Sequence, residues 1–251
     1  MNNEYTGKRV KIGIVDTGIS AENYSLISSN IVCGRNFSLD GNPRDYFKSE
    51  CNHGFAVASI ILSVAPKAKL VIAKVLNDRG EGDPRKTAEG IRYCISKKCH
   101  IINCSVAGPH DTELEKVINE ARDRGIIVVG AMGNDGQEKL LYPASYMSCL
   151  GVGAGTSHGE LADFSNYNFF MDLVALGEEI KIKTRDGYFI DSGTSLSAPL
   201  VSGTLAILRE QHKDETGKYP KFSELRQLLF KKCIYLNNID RLKQGYGFLD
   251  I

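Results

Sequence analysis

An acid, an imidazole and a hydroxyl stand in this 251-residue chain in the order Asp16, His53, Ser195, each in a context that suits a reaction centre. Asp16 closes the apolar run at 10–15 and is followed by Thr17-Gly18, which puts a carboxylate at the end of a buried strand. His53 precedes Gly54 and a helix-like stretch at 55–62. Ser195 lies in Ser192-Gly193-Thr194-Ser195-Leu196-Ser197-Ala198-Pro199, a glycine turn leading into an apolar helix. Brought together, the three make an acyl-transfer set. The carboxylate orients and charges the imidazole, which takes the serine proton and later returns it to the leaving group. Ser195 also has a plainer reading, since a serine ahead of an apolar helix is commonly an N-cap.

The elements that must position these groups show as an alternation along the chain. Runs rich in Ile and Val at 10–15, 70–75, 101–104, 126–130 and 149–152 read as buried strands. Helix patterns lie between them at 53–62, 84–98 and 112–124, and two more follow Ser195 at 196–211 and 222–232. Pro84 suits a first helical turn, and Gly125 suits the position just past a helix end. Such alternation specifies an α/β fold, a doubly wound and mostly parallel sheet with helices on both faces and right-handed crossovers. Ligands of these sheets bind beyond the carboxyl ends of the strands, which is where Asp16 falls. With no internal repeat, low-complexity run or linker, residues 1–251 are expected to form one domain.

Composition narrows the function classes. Hydrophobic residues make up 42% of the chain and charged residues 24%, ordinary for a globular enzyme. A net charge of +1 gives no electrostatic case for a nucleic-acid partner, and Lys97-Lys98 and Lys231-Lys232 read as solvated helix ends. No apolar stretch approaches the roughly 20 residues that cross a bilayer. The polar start Met1-Asn2-Asn3-Glu4-Tyr5 lacks the apolar core of a signal peptide. Seven cysteines, with Cys94, Cys99 and Cys104 at a spacing that matches no common metal site, suggest a reduced, cytoplasmic chain with mostly buried thiols. Cys51, two residues before His53, reads as an ordinary packed cysteine, with a redox-sensitive thiol as the alternative.

The segments "VDTGIS" around Asp16, "NHGFAVAS" around His53 and "GTSLSAPLVSG" around Ser195 resemble the subtilisin-like serine proteases. "INCSVAGP" at 102–109, "VGAMGNDG" at 129–136 and "ADFSNYN" at 162–168 also look like blocks of that family, in the family's order over nearly the whole chain. The resemblance implies one subtilisin-like peptidase domain with Ser195 as nucleophile. It gives Asn134 the role of oxyanion donor through its side-chain amide, where a turn residue is the plainer reading of "GND". His53 departs slightly from the pattern, being followed by Gly54, Phe55 and Ala56 where the family usually has threonine and a second histidine. The remaining histidines, His100, His110, His158 and His212, read as surface or loop residues.

In the family an extended peptide is pinned between two strand edges. Ser105, Val106, Ala107 and Gly108 match one edge, and Gly80, Glu81 and Gly82 match the other. Ala131, Met132 and Gly133 are expected to line one wall of the specificity pocket, with Asp135 at its rim and Leu141 making the floor shallow. Asp135, Glu81 and Asp83 then lean the pocket toward small, apolar or basic side chains. Secreted members carry a calcium-loop insertion after the histidine helix. Here Ile60-Ile61-Leu62-Ser63 runs straight into Val64-Ala65-Pro66, so no essential metal and no cofactor are expected.

The leading function is therefore an intracellular serine endopeptidase acting on a peptide or protein substrate through an acyl-enzyme. The first strand begins about ten residues from Met1, leaving no room for a signal or folding propeptide, and this suggests processing of a specific precursor, such as the leader of a small modified peptide. Two alternatives stand beside it. A ligase or macrocyclase would use the same acyl-enzyme but usually carries a large shielding insertion, and a silent peptide-binding scaffold would show a broken triad. Whether a protein partner activates the enzyme or delivers its substrate stays open.

Overall fold

Strands whose residues are apolar without alternation need cover on both faces, and the central sheet has it. The computed structural model describes residues 4–39 and 41–250, so the first three residues of the polar start lie outside the described set. In chain order the elements are β1 (Lys11–Asp16), α1 (Tyr24–Ile27), β2 (Ile31–Asn36), α2 (His53–Val64), β3 (Lys69–Lys74), α3 (Pro84–Ser96), β4 (Ile101–Cys104), α4 (Thr112–Asp123) and β5 (Ile127–Ala131). The second half adds β6 (Cys149–Gly155), β7 (Met171–Leu176), β8 (Ile180–Thr184), β9 (Gly187–Asp191), α5 (Thr194–Thr216), α6 (Phe222–Phe230), β10 (Cys233–Ile234) and β11 (Phe248–Leu249).

Nine strands form one sheet in the order β10-β11-β7-β6-β5-β4-β1-β3-β2, and β8 pairs with β9 in a separate antiparallel hairpin. Within the large sheet every pairing is parallel except that of β10 with β11. Alternate residues of each buried strand serve opposite layers. Ile12 and Ile14 of β1 pack with α2, α5 and α6, while Val15 packs with α3 and α4. β1 lies between β3 and β4, so the chain winds to one side of β1 first and then to the other. That reversal opens a crevice beyond the carboxyl ends of β1 and β4.

The helix starts follow their local chemistry. Asp83 caps α3 by accepting from the Arg85 amide at 2.7 Å, with Pro84 at the first position. Asp111 caps α4 by accepting from the Leu114 amide at 2.9 Å. Most expected strands are displaced by a single residue, whereas α5 begins two residues earlier than its apolar pattern and runs on to Gly217. Six strands lie beyond the five expected: β7, an apolar run that was not singled out, and five that carry no such run. β2 carries Gly34 and Arg35, the hairpin alternates lysines with apolar residues, and β10 and β11 are two residues each. All seven cysteines are free thiols. Cys94, Cys99 and Cys104 sit in the apolar layer against α3 and α4, which accounts for their spacing. Among the described residues no helix is long and apolar enough to cross a membrane.

α2 and α5 pack closely on one face, and Gly203 marks their contact. A Cβ built there would lie 2.8 Å from Val64 Cβ and 3.2 Å from the Ile61 carbonyl oxygen. Gly203→Val therefore overpacks this contact and is expected to cost about 1–3 kcal/mol. Urea unfolding should show a lower midpoint at an unchanged slope.

Candidate active site

β1 delivers Asp16 to the crevice with its carboxylate only 1% exposed. Oδ1 accepts from His53 Nδ1 at 2.7 Å and from the Thr17 amide at 2.7 Å, and Oδ2 has no partner among the described residues. An ionised carboxylate can only accept, so Nδ1 carries the imidazole proton and Nε2 is left as the basic nitrogen. His53 opens α2, and the helix start is docked on the turn after Asp16. The Gly54 amide donates to Thr17 Oγ1 at 3.0 Å. A Cβ on Gly54 would lie 2.0 Å from the Gly18 carbonyl oxygen, so only glycine permits this approach. The buried Lys74 ammonium donates to the carbonyls of Thr17 (3.1 Å) and Leu76 (3.0 Å) and to Asp78 Oδ1 (2.8 Å), bracing the same turn from β3.

Ser195 is held by a second set of contacts. Pro199, four residues further along α5, has no N–H to give the Ser195 carbonyl. The Ser105 hydroxyl supplies the missing donor at 2.9 Å. Ser105 in turn accepts from Asn103 Nδ2 at 2.8 Å, and Asn103 Oδ1 accepts from Ser202 Oγ at 3.0 Å. This chain of side chains fastens the first turns of α5 to the end of β4. Asn134 follows β5, and its Oδ1 accepts from both the amide and the hydroxyl of Thr194, each at 2.9 Å. With Oδ1 engaged, Nδ2 turns toward the Ser195 end of α5. A Cβ built on Gly193 would lie 3.2 Å from both Asn134 Nδ2 and Ser195 Oγ. A hydroxyl and an amide donor thus share one small space at a helix N-terminus, where partial positive charge also gathers.

His53, Ser195 and Asn134 border one cleft of about 530 Å³. Ser105, Val106, Ala107 and Gly108 line it, as do Gly80, Gly82, Ala131, Gly133 and Leu141, together with Cys51, Leu114 and Tyr142. Three expected lining residues are placed elsewhere. Met132 follows the last residue of β5 and faces the other way, fully buried against Ala144, Met171 and Val174. Asp135 is turned toward Asn166 Nδ2 (3.0 Å) and Lys139 Nζ (3.1 Å), and these bonds, Asn166 first, hold its carboxyl below the usual range. Glu81 is exposed and accepts from Asn77 Nδ2 at 2.9 Å. Asp83 lines the cleft, but its carboxylate is committed to capping α3. Asp83 and Asp135 are thus engaged within the fold, and the cleft wall carries apolar side chains at Val106, Leu114, Ala131 and Leu141 beside the charged Asp78 and Arg79. Thr17, Lys74 and Thr194, whose hydrogen bonds orient the site, were not singled out in the sequence. Only Pro199, four residues after Ser195, carried a signal of this kind.

The link from α2 to β3 is Ala65-Pro66-Lys67-Ala68, without a carboxylate. Among the described residues no group of three or more His, Cys, Asp or Glu side chains is gathered in a metal-binding cluster.

A parallel sheet that presents a carboxylate–imidazole pair and a helix-borne serine at one crevice defines a serine hydrolase class. The profile of the subtilase family matches residues 7–248, and the chain belongs to that family, the subtilisin-like serine endopeptidases. It is 36% identical to an intracellular serine protease of Paenibacillus polymyxa, over 98% of this chain and 80% of that protein. It is 35% identical to the major intracellular serine protease of Bacillus subtilis (strain 168), over 97% of this chain and 81% of that one. A solved lanthipeptide protease structure shares the fold with a TM-score of 0.85 at 20% identity, covering 98% of this chain and 87% of the other.

The charge of Asp16 is the largest influence on His53. It raises the imidazole pKa above the ordinary 6.5 against the opposing effect of burial, with the Asp16 hydrogen bond and the charge of Asp191 adding to it. The protonated pair therefore stabilises the fold fully below the unfolded value of 6.5, and this contribution fades as pH rises through the higher native value. An NMR titration should place the His53 midpoint above 6.5, and Asp16→Asn should lower it. A second expectation concerns the Ser195 carbonyl. Ser105→Ala leaves that carbonyl and the Asn103 amide unpaired and should cost about 1–3 kcal/mol. Adding Pro199→Ala restores an N–H donor and should recover part of the loss in a double-mutant cycle of unfolding free energies.

Proposed function

We propose that residues 1–251 act as one peptidase domain in which Asp16, His53 and Ser195 are the triad and Asn134 is the oxyanion donor. The observation that carries this reading is the space over Gly193 shared by Ser195 Oγ and Asn134 Nδ2. A peptide lies extended in the cleft, its backbone close to the edge at Ser105, Val106 and Ala107. Ser195 Oγ attacks the scissile carbonyl carbon while its proton passes to His53 Nε2. Charge developing on the carbonyl oxygen is met by Asn134 Nδ2 and by an amide of α5's first turn, which has no carbonyl partner within the helix. His53, held by Asp16, then gives its proton to the departing amine. Water enters the same way to release the acyl group.

The names of the two intracellular relatives and the seven free thiols support a cytoplasmic setting. A narrow substrate, such as the leader of a small modified peptide, suits a cleft walled by Leu114, Leu141 and Tyr142. The fold likeness to a lanthipeptide protease is compatible with that class.

A fluorophosphonate probe and a mixed peptide library test both parts. Ser195→Ala should lose labelling and cleavage together. Asn134→Ala should lower turnover about 100- to 1,000-fold, the size established for the oxyanion asparagine of subtilisin. Mass spectrometry of the library should reveal few cleaved sequences. Rapid, indiscriminate breakdown of unfolded proteins would overturn the narrow-substrate part.

A further inference from the structure

We infer that Asp191 makes the leaving-group side of the site select peptides carrying lysine or arginine immediately beyond the scissile bond, an inference that rests on the acyl-transfer reading above. β9 ends at Asp191, and only Ser192, Gly193 and Thr194 separate it from Ser195. The hairpin register pairs Ile180 with Asp191 and Ile182 with Phe189. Asp191 therefore shares a hairpin face with Ile182 and Phe189, which pack into the layer that contains α2. α2 opens with His53, so the hairpin carries a second carboxylate toward the imidazole, near enough for its charge to favour the imidazolium.

The end of the hairpin is fixed by three bonds. The Ser192 amide donates to Asp191 Oδ1 at 2.8 Å, and Ser192 Oγ accepts from the Glu179 amide at 2.9 Å. The Gly193 amide donates to the Gly177 carbonyl at 2.8 Å. Asp191 itself is exposed and has no Lys or Arg ion-pair partner among the described residues. The nearest lysines along the hairpin are turned to its other face. Lys181 and Lys183 lie opposite Ile190 and Tyr188, and Lys181 sits over the Tyr188 ring at 3.7 Å.

Asp191 is also absent from the lining of the cleft that holds Asn134 and Leu141. With the acyl part of the peptide in that cleft, the amine departs on the other side of the His53–Ser195 pair, where Asp191 supplies an uncommitted negative charge. A cationic side chain one residue beyond the bond gains an unpaired carboxylate, and an acidic one meets like charge.

The test uses three peptides that differ only in the residue after the cleaved bond: Lys, Gln or Glu. The wild type should rank them Lys, Gln, Glu in kcat/KM, with a Lys-to-Glu ratio of about three- to tenfold at low salt, as exposed charges allow, and a smaller ratio at high salt. Asp191→Asn should bring the ratio toward one, and Asp191→Lys should reverse the order. A purely structural role would lower all three rates together and leave the ratio intact. Equal cleavage of the three peptides by a wild type that labels with fluorophosphonate, or an unchanged ratio in Asp191→Asn, would overturn the inference alone. Absence of both labelling and cleavage in the wild type would overturn it together with the acyl-transfer reading.

Discussion

The site depends on a buried negative charge that is answered through one oxygen. Asp16 sits at the end of a central strand where water does not reach it, and among the described residues only Oδ1 has partners, the His53 ring and the Thr17 amide. Taking one partner from a buried charge pair costs about 3–5 kcal/mol, because the remaining charge cannot find water. The start of α2 is therefore constrained by the same contact that fixes the His53 ring. Thr17 spends its amide on Asp16, its hydroxyl on Gly54 and its carbonyl on Lys74. One residue thus ties the strand end, the helix start and the neighbouring strand together.

The serine is brought in on an independent support. α5 is a long buried helix that would hold its own first turn by backbone bonds, but Pro199 withholds one of them. The Ser195 carbonyl is answered from the end of β4 by Ser105 instead, so the position of Ser195 is tied to the cleft wall. The two supports meet because α2 and α5 pack against each other at Gly203 and Val64. Packed elements with locked side chains hold reacting groups more closely than loops do, and acyl transfer is sensitive to displacements of about 1 Å.

How far this was legible in the sequence follows from the range of each interaction. The buried strands show as apolar runs because both of their faces are covered, and Asp16 is identifiable because it ends one of them. His53, Asn134 and Ser195 stand out in ordered motifs. Met132 and Asp135 turn away from the cleft because side-chain direction beyond a strand end depends on the loop's tertiary partners, here Ala144 and Asn166. Glu81 is held by a bond from Asn77 that only the folded loop creates. The role of Ser105 in bracing the nucleophile was also out of reach, since residues 105 and 195 meet only when α5 docks on β4. The hairpin left no apolar run, so the position of Asp191 relative to His53 emerged only with its register.

The commitments of the carboxylates explain why charge and size would be read on different sides of the nucleophile. Asp78 is bound to Lys74, Asp83 is spent on the first turn of α3, and Asp135 is bound to Asn166 and Lys139. A carboxylate already satisfied by an ammonium or by amides offers little to an incoming cation, since binding would have to displace those partners. The cleft also carries Leu114, Val106, Ala131 and Leu141, apolar walls of the kind that discriminate by fit at about 1–3 kcal/mol per methylene. Charge discrimination needs a carboxylate that is fixed in place yet still unpaired. Asp191 meets both conditions, because it accepts from the neighbouring Ser192 amide and has no Lys or Arg ion-pair partner among the described residues.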